Sequence, residues 1–200
     1  MAFTVKTLAD LKQSLADRHE AGELPNESDI LSYWTRLLNR AKDYCADRLQ
    51  LTKSTSLTTS SGTIALPDDF MTVIDVVDSN EMKWMLIPKE NSDYAGPYCY
   101  WITGNQDSRF SLNTATGYDQ TFTVYYSYRP GDMSSDSDEC VIPDSEAVVA
   151  RAYGMLRMAE FDPAEDADKA INECERRLDE IIAQRNSNDG PQGFTLQANA

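Results

Sequence analysis

Apolar residues recur at three- and four-residue steps at both ends of this 200-residue chain and at two-residue steps through its middle. The first spacing lays a stripe along a helix and the second loads one face of a strand, so the ends predict helices and the middle predicts a sheet. A helix striped on one side needs cover. The stripes at the N-terminal end find comparable counterparts only at the far end of the chain, so the termini are expected to pack together with the strands inserted between them.

In "TLADLKQSLADRHEAG", Leu8, Leu11 and Leu15 form the stripe, Thr7 is placed to cap the first turn and Gly22 to end the last. A second helix is predicted from Ser28 or Asp29. It carries Leu31, Trp34, Leu38, Ala41, Cys45 and Leu49, widened by Ile30, Leu37 and Tyr44. The Ser- and Thr-rich "TKSTSLTTSSGT", with its Ser61-Gly62 turn signal, predicts a hairpin or an extended loop. Beyond Pro67, "FMTVIDVVD", a Ser79-Asn80 turn and "EMKWMLI" predict an antiparallel hairpin with Met82, Trp84 and Leu86 on one face.

"YCYWITG", "RFSLN" and "TFTVYYSYRP" then read as strands, with Phe122, Val124, Tyr126 and Tyr128 alternating against Thr121, Thr123, Tyr125 and Ser127. Five or six strands are expected. "GDMSSDSDE" reads as an acidic surface loop, and helix returns at Pro143-Asp144. A last helix is expected with Asp162 as its cap, Pro163 in its first turn and Glu165 completing a capping box, striped by Ala167, Ile171, Cys174, Leu178 and Ile181. The tail "NSNDGPQGFTLQANA" lacks any period and is expected to be flexible, with Phe194 and Leu196 as its isolated apolar residues.

The predicted class is α+β: a four-helix bundle core with an inserted antiparallel β-sheet or sandwich and an extended C-terminal arm. The expected divisions are 1–51 for the N-terminal helices, 52–130 for the β region, 131–186 for the C-terminal helices and 187–200 for the arm.

A formal charge of -15 and a pI near 4.3 argue against binding to nucleic acid phosphates or anionic lipid, which requires clustered Lys and Arg. Cys45, Cys99, Cys140 and Cys174 are far apart, and His19 is the single histidine, so neither a zinc site nor a disulfide framework is signalled. No apolar run approaches the ~18 residues of a membrane span and no leader is recognisable, so a soluble, unexported chain is expected.

Chemistry-bearing clusters have plain readings. Asp132, Asp136, Asp138 and Glu139 lack the spacing of a calcium loop and read as a solvated loop. His19 has no nucleophile in a suitable context, and Asp68-Asp69 after Pro67 is turn chemistry. Neither catalytic nor metal nor cofactor residues are assigned. The aromatic set Trp84, Tyr94, Tyr98, Tyr100, Trp101, Tyr125, Tyr126 and Tyr128 reads as sheet core plus a protein contact face. Tyr100, Trp101, Phe194 and Leu196 are the partner-interface candidates. A β-type binding module for carbohydrate or peptide is the alternative, and an acidic mimic of DNA follows from charge alone.

The ordered set "LPDDF" into "MTVIDVV", "YCYWITG", "TFTVYYSYRP" and "VIPDSEAVVARAYGMLRMAEFD", ending in a charged helix, resembles the head-to-tail adaptor (connector) proteins of tailed bacteriophages from about Asp29 to Ile182. The resemblance implies a structural virion protein made in the bacterial cytoplasm, with no catalytic residues to carry over. It implies a homo-oligomeric ring, typically of twelve copies, that docks on the portal through its C-terminal segment and meets a tail or nozzle protein. DNA would pass through without specific binding during ejection, and Glu173, Asp179 and Glu180 of the last helix are candidates to face that channel or the ring, with ordinary solvent exposure the alternative reading for them. Deleting the residues after Asn186 is expected to leave the circular dichroism spectrum and melting curve intact and to abolish capture by purified portal in a pull-down.

Overall fold

The computed structural model describes residues 6–19, 22–105, 109–115, 120–160 and 164–188. They divide into two compact units, one within Met1–Gln50 and Pro130–Gln192, the other within Leu51–Arg129.

The first unit is helical. Helix α1 (Leu8–Arg18) opens with the Thr7–Asp10 capping box, and its leading N–H groups at Leu8 and Ala9 donate to the carbonyls of Asp138 and Asp136 at 2.8 and 3.1 Å. Gly22 takes a positive φ of 60°, and its N–H returns to the Ala16 carbonyl. Helix α2 (Ser28–Leu49) ends at Gln50, which adopts the left-handed conformation, and Arg185 donates to the exposed end of α2 through the Leu49 carbonyl at 2.9 Å.

Helix α3 (Ser145–Ala159) starts at Asp144, whose carboxylate accepts the Glu146 N–H, and helix α4 (Ala164–Asn188) follows. The expected cap at Asp162-Pro163 lies outside the described residues. Leu8, Leu11, Leu15, Leu38, Val148, Cys174 and Leu178 are all fully buried, so helices from the two ends of the chain share one core. Each such aliphatic side chain removed from water stabilises by about 1.5–3 kcal/mol. Gly154 lets α3 and α4 approach: a Cβ there would lie 2.8 Å from Ile171 Cγ1 and 3.1 Å from the Ala167 carbonyl oxygen.

Two polar groups that periodicity does not reveal fasten this unit to the loop at 130–140. Asn39 donates through Nδ2 to the Met133 carbonyl at 2.9 Å and accepts the Met133 N–H at 2.8 Å. Lys42, on the buried face of α2 and 1% exposed, donates to the carbonyls of Gly131 and Pro130 at 2.5 and 3.2 Å. Its charge is answered by Asp43 at 3.4 Å and Asp132 at 3.6 Å. Met133 is consequently buried within a stretch that reads as a solvated acidic loop.

Among the described residues the second unit holds seven strands: β1 (Thr52–Thr58), β2 (Thr63–Ala65), β3 (Phe70–Asp78), β4 (Met85–Leu86), β5 (Cys99–Thr103), β6 (Ser111–Thr114) and β7 (Thr121–Tyr128). They form two sheets, ordered β1-β7-β3 and β2-β6-β5-β4. Trp84 meets Phe122 edge-on at 4.7 Å and Phe70 meets Phe110 at 5.2 Å, so aromatic rings fill the space between the sheets. The α+β class holds, with one sheet carrying a parallel pair, β4 with β5.

At two places where a hairpin is expected, the chain forms a tight antiparallel turn whose flanking strands then pair elsewhere. Ser61-Gly62 turns with positive φ, and Ser60 and Thr63 exchange backbone hydrogen bonds across it at 3.0 and 3.2 Å; beyond this tight hairpin turn β1 pairs with β7 and β2 with β6, so the turn is also the corner where the chain leaves one sheet for the other. Likewise β3 and the following segment turn back on each other at the Val77–Lys83 bridge, where the Asp78 N–H donates to the Met82 carbonyl at 3.0 Å and the Trp84 N–H to the Val76 carbonyl at 2.9 Å, before β4 joins β5. Asp78 organises this turn. Its buried carboxylate accepts the N–H groups of Asn80 and Met82 and the Trp84 indole at 3.2 Å, folding 78–84 back on itself so that Trp84 inserts between the sheets. Burial opposes ionisation of Asp78, and those donors outweigh it, holding its pKa below the ordinary carboxylate value. Trp84 is therefore buried while Met82 and Leu86 are exposed, instead of all three sharing one face.

Replacing Gly154 by Val is expected to lower stability by about 1–3 kcal/mol, because the Ala167 backbone and the branched Ile171 cannot retreat from the added methyl groups. Denaturant unfolding of the variant against the parent protein measures it.

Candidate interaction surface

Segment 82–98 supplies the edge strand of the four-stranded sheet, β4, and follows it with a short helix at Lys89–Tyr94. Strand β4 ends that sheet, with Met85 and Ile87 donating their N–H groups to the Tyr98 and Tyr100 carbonyls of the neighbouring chain segment at 2.9 Å. By the alternation of a strand, Leu86 turns its own backbone groups away from β5, toward the open edge. Met82, Met85, Leu86, Tyr94 and Tyr98 are all exposed here, with Met85 at 63% and Tyr94 at 88%. An edge that is both unpaired and apolar is the kind of surface that folded proteins cover with a partner.

Tyr98 adds a second observation. Its φ of 71° is a conformation that bulky residues rarely adopt, and its ring packs edge-on against Trp84 at 5.7 Å. The turn that swings β5 alongside β4 thus holds an aromatic ring partly in solvent.

The aromatic set sorts by alternation. Trp84, Tyr100, Tyr126 and Tyr128 are buried, whereas Tyr94, Tyr98 and Tyr125 are exposed and Trp101 is half-buried. Tyr100 lies on the packed face of β5, where burial and the nearby charge of Asp75 push its hydroxyl up to about 12. It is a core residue of the isolated chain, and Trp101, one position along, takes the opposite face. Phe194 and Leu196 lie outside the described residues.

The acidic candidates of α4 are engaged with cations. Glu173 accepts both guanidinium nitrogens of Arg18, at 2.9 and 3.1 Å, and Nε of Arg177 at 3.0 Å. Arg177 reaches on to Asp144 at 2.9 Å, and Arg18 to Glu146, which also pairs with Lys6. This chain of charges ties α1, the start of α3 and α4 together. Asp179 meets Arg48 at 3.2 Å, Glu180 pairs with Arg176, and Glu165 with Lys169 at 2.9 Å. Asp179 and Glu180 remain about 60% exposed, so they face solvent in the isolated chain, unlike Glu173.

The other titratable residues that the sequence singles out have structural partners. Asp136 pairs with Lys12 at 2.7 Å, and Asp138 accepts the N–H groups of Ser134 and Ser135, which lowers its pKa. His19 sits 2.9 Å from Glu160 and edge-on to Trp34. Asp68 binds Arg109 while Asp69 binds Lys53, so the two neighbouring carboxylates diverge. Among the described residues no group of three or more His, Cys, Asp or Glu is placed to hold a metal, and no helix is long and apolar enough to cross a membrane.

With the fold and this edge described, comparison with known proteins places the molecule among structural components of phage particles. The chain belongs to the SU10 adaptor protein family, a family of bacteriophage head-to-tail adaptors, whose profile matches residues 6–195. No curated protein matches it.

Arg18 and Arg177 hold the Glu173 carboxyl down to about 2, against an ordinary 4.5, with burial opposing them. The stabilisation is therefore complete above about pH 4.5 and is lost as pH falls toward 2. Because Glu173 is partly solvated, the loss is expected to be about 1 kcal/mol. Unfolding titrations between pH 5 and pH 2 are expected to show a shallower acid slope for Glu173→Gln than for the parent, with some slope remaining from Glu146, whose pKa is also lowered.

Proposed function

We propose that this adaptor assembles as a ring between portal and tail, docks on the portal, and forms part of the conduit through which DNA leaves the capsid. Family membership carries the proposal; the apolar edge at 82–98 and the net charge support its details.

A closed ring requires two different patches of each subunit to meet, since every copy must offer one surface to the neighbour before it and another to the neighbour after it. The edge at β4, with Met85, Leu86 and Tyr98, is one such patch, and half-buried Trp101 extends the contact capacity of the same sheet. The four helices act as a bundle that forms the rigid wall, and the C-terminal arm with Phe194 and Leu196 engages the portal. Twelve copies is the count that the resemblance to head-to-tail adaptors implies.

A conduit for DNA works best when its wall does not hold phosphate. Each Lys or Arg contact would displace counterions from the polymer and retain it, so a subunit with a formal charge of -15 suits free passage. Asp179 and Glu180 are the proposed channel-facing acids of α4. Glu173 has a different task, as the central carboxylate that joins α1 to α4.

Purified portal mixed with the full-length chain is expected to acquire an added collar in negative-stain images. Met85→Asp with Leu86→Asp is expected to weaken assembly at least tenfold, while the melting temperature stays within ~3 °C of the parent, because both side chains are already in solvent. Portal that takes up no collar overturns the docking proposal; normal collars from the double variant remove the β4 edge from it.

A further inference from the structure

Helices α2 and α4 bring two buried thiols together. Cys45 Sγ and Cys174 Sγ lie 4.0 Å apart, and both residues are fully buried. Their alignment is fixed on one side by neighbours: Tyr44, next to Cys45, donates to Glu175, next to Cys174, and Arg48 one turn along binds Glu175 at 3.3 Å and Asp179 at 3.2 Å. These contacts repeat across the same two helices, so the register of the helix pair brings the two cysteines opposite each other.

We propose that Cys45 and Cys174 form a dithiol that closes to an intramolecular disulfide once the protein meets an oxidising environment, bolting α2 to α4. A disulfide places its sulfurs about 2.05 Å apart, so closure asks for roughly 2 Å of sulfur movement, within the reach of side-chain rotation and a small approach of the helices. The reaction is thiol–disulfide exchange with a small-molecule disulfide as oxidant. In a local opening of the helix pair, the thiolate of one cysteine attacks one sulfur of the oxidant and expels a thiolate; the other cysteine then gives up its proton and attacks the protein sulfur of the mixed disulfide, expelling the second thiolate. Two protein thiols lose two electrons and two protons, and the oxidant takes them up as two thiols.

The two sulfurs share one S–H contact in which either can donate. That contact, together with burial, pushes the Cys45 thiol up. The setting follows from family membership: a virion component folds in a reducing cytoplasm and then works outside it, where disulfides persist. The closed loop would span residues 45–174, tying the two ends of the chain covalently where now only packing and ion pairs hold them. Cys140, also buried, and Cys99, on β5, serve as internal comparisons.

The test uses the reduced full-length chain incubated with oxidised glutathione, then unfolded, alkylated and digested for mass spectrometry. The expected product has two alkylatable thiols in place of four and a linked peptide pair containing residues 43–48 and 170–176. Its melting temperature rises by about 5 °C or more, reversibly with dithiothreitol. Cys174→Ser is expected to lose both the link and the shift. Four alkylatable thiols after prolonged oxidation, glutathione adducts without the internal link, or a link through Cys99 or Cys140 would each overturn the proposal.

Discussion

Mutual burial of helices from opposite ends of the chain is the constraint on which the helical unit depends. Leu8, Leu11 and Leu15 of α1 and Leu38 and Cys45 of α2 are sealed from water only because Val148, Cys174 and Leu178 arrive from α3 and α4. Such long-range closure is entropically costly, yet the cost grows only slowly with the length of the enclosed segment, so a seven-stranded insertion is compatible with it. Gly154 sets how closely the last two helices lie, and the Arg18–Glu173–Arg177–Asp144 chain sets their register from the solvent side.

Where the inserted strands end, the helical unit receives the chain with directed polar contacts. Asn39 pairs both ways with Met133, and Lys42 holds two backbone carbonyls from inside the core. A buried ammonium is costly unless it is paired and hydrogen-bonded, and here it has both. The acidic loop thereby becomes a structural element, with α1 seated on the carbonyls of Asp136 and Asp138.

Within the strand unit, Asp78 has a comparable part. One carboxylate gathers two backbone N–H groups and an indole, and the fold it imposes on 78–84 sends Trp84 inward while Met82, Met85 and Leu86 turn outward. The apolar edge is thus a consequence of packing Trp84 between two sheets. A core residue and an exposed apolar surface are produced by the same turn.

The helices were legible in the sequence because a 3.6-residue period, Thr7, Asp144 and the Leu and Cys stripes are local properties that each segment carries by itself. The alternation of β7 was legible for the same reason, as were the α+β class and the family likeness. Strand pairing was not: β1 and β2, like β3 and β4, look like hairpins in sequence, and only competition among seven strands for edges sent them to different sheets. Exposure of Met85 and Leu86, burial of Lys42 and Tyr100, the ion pairs that claim Glu173, and the meeting of Cys45 with Cys174 were likewise decided by tertiary structure. Each depends on which distant backbone or side chain arrives opposite a residue, and a one-dimensional pattern records a residue's own periodicity but not its partner.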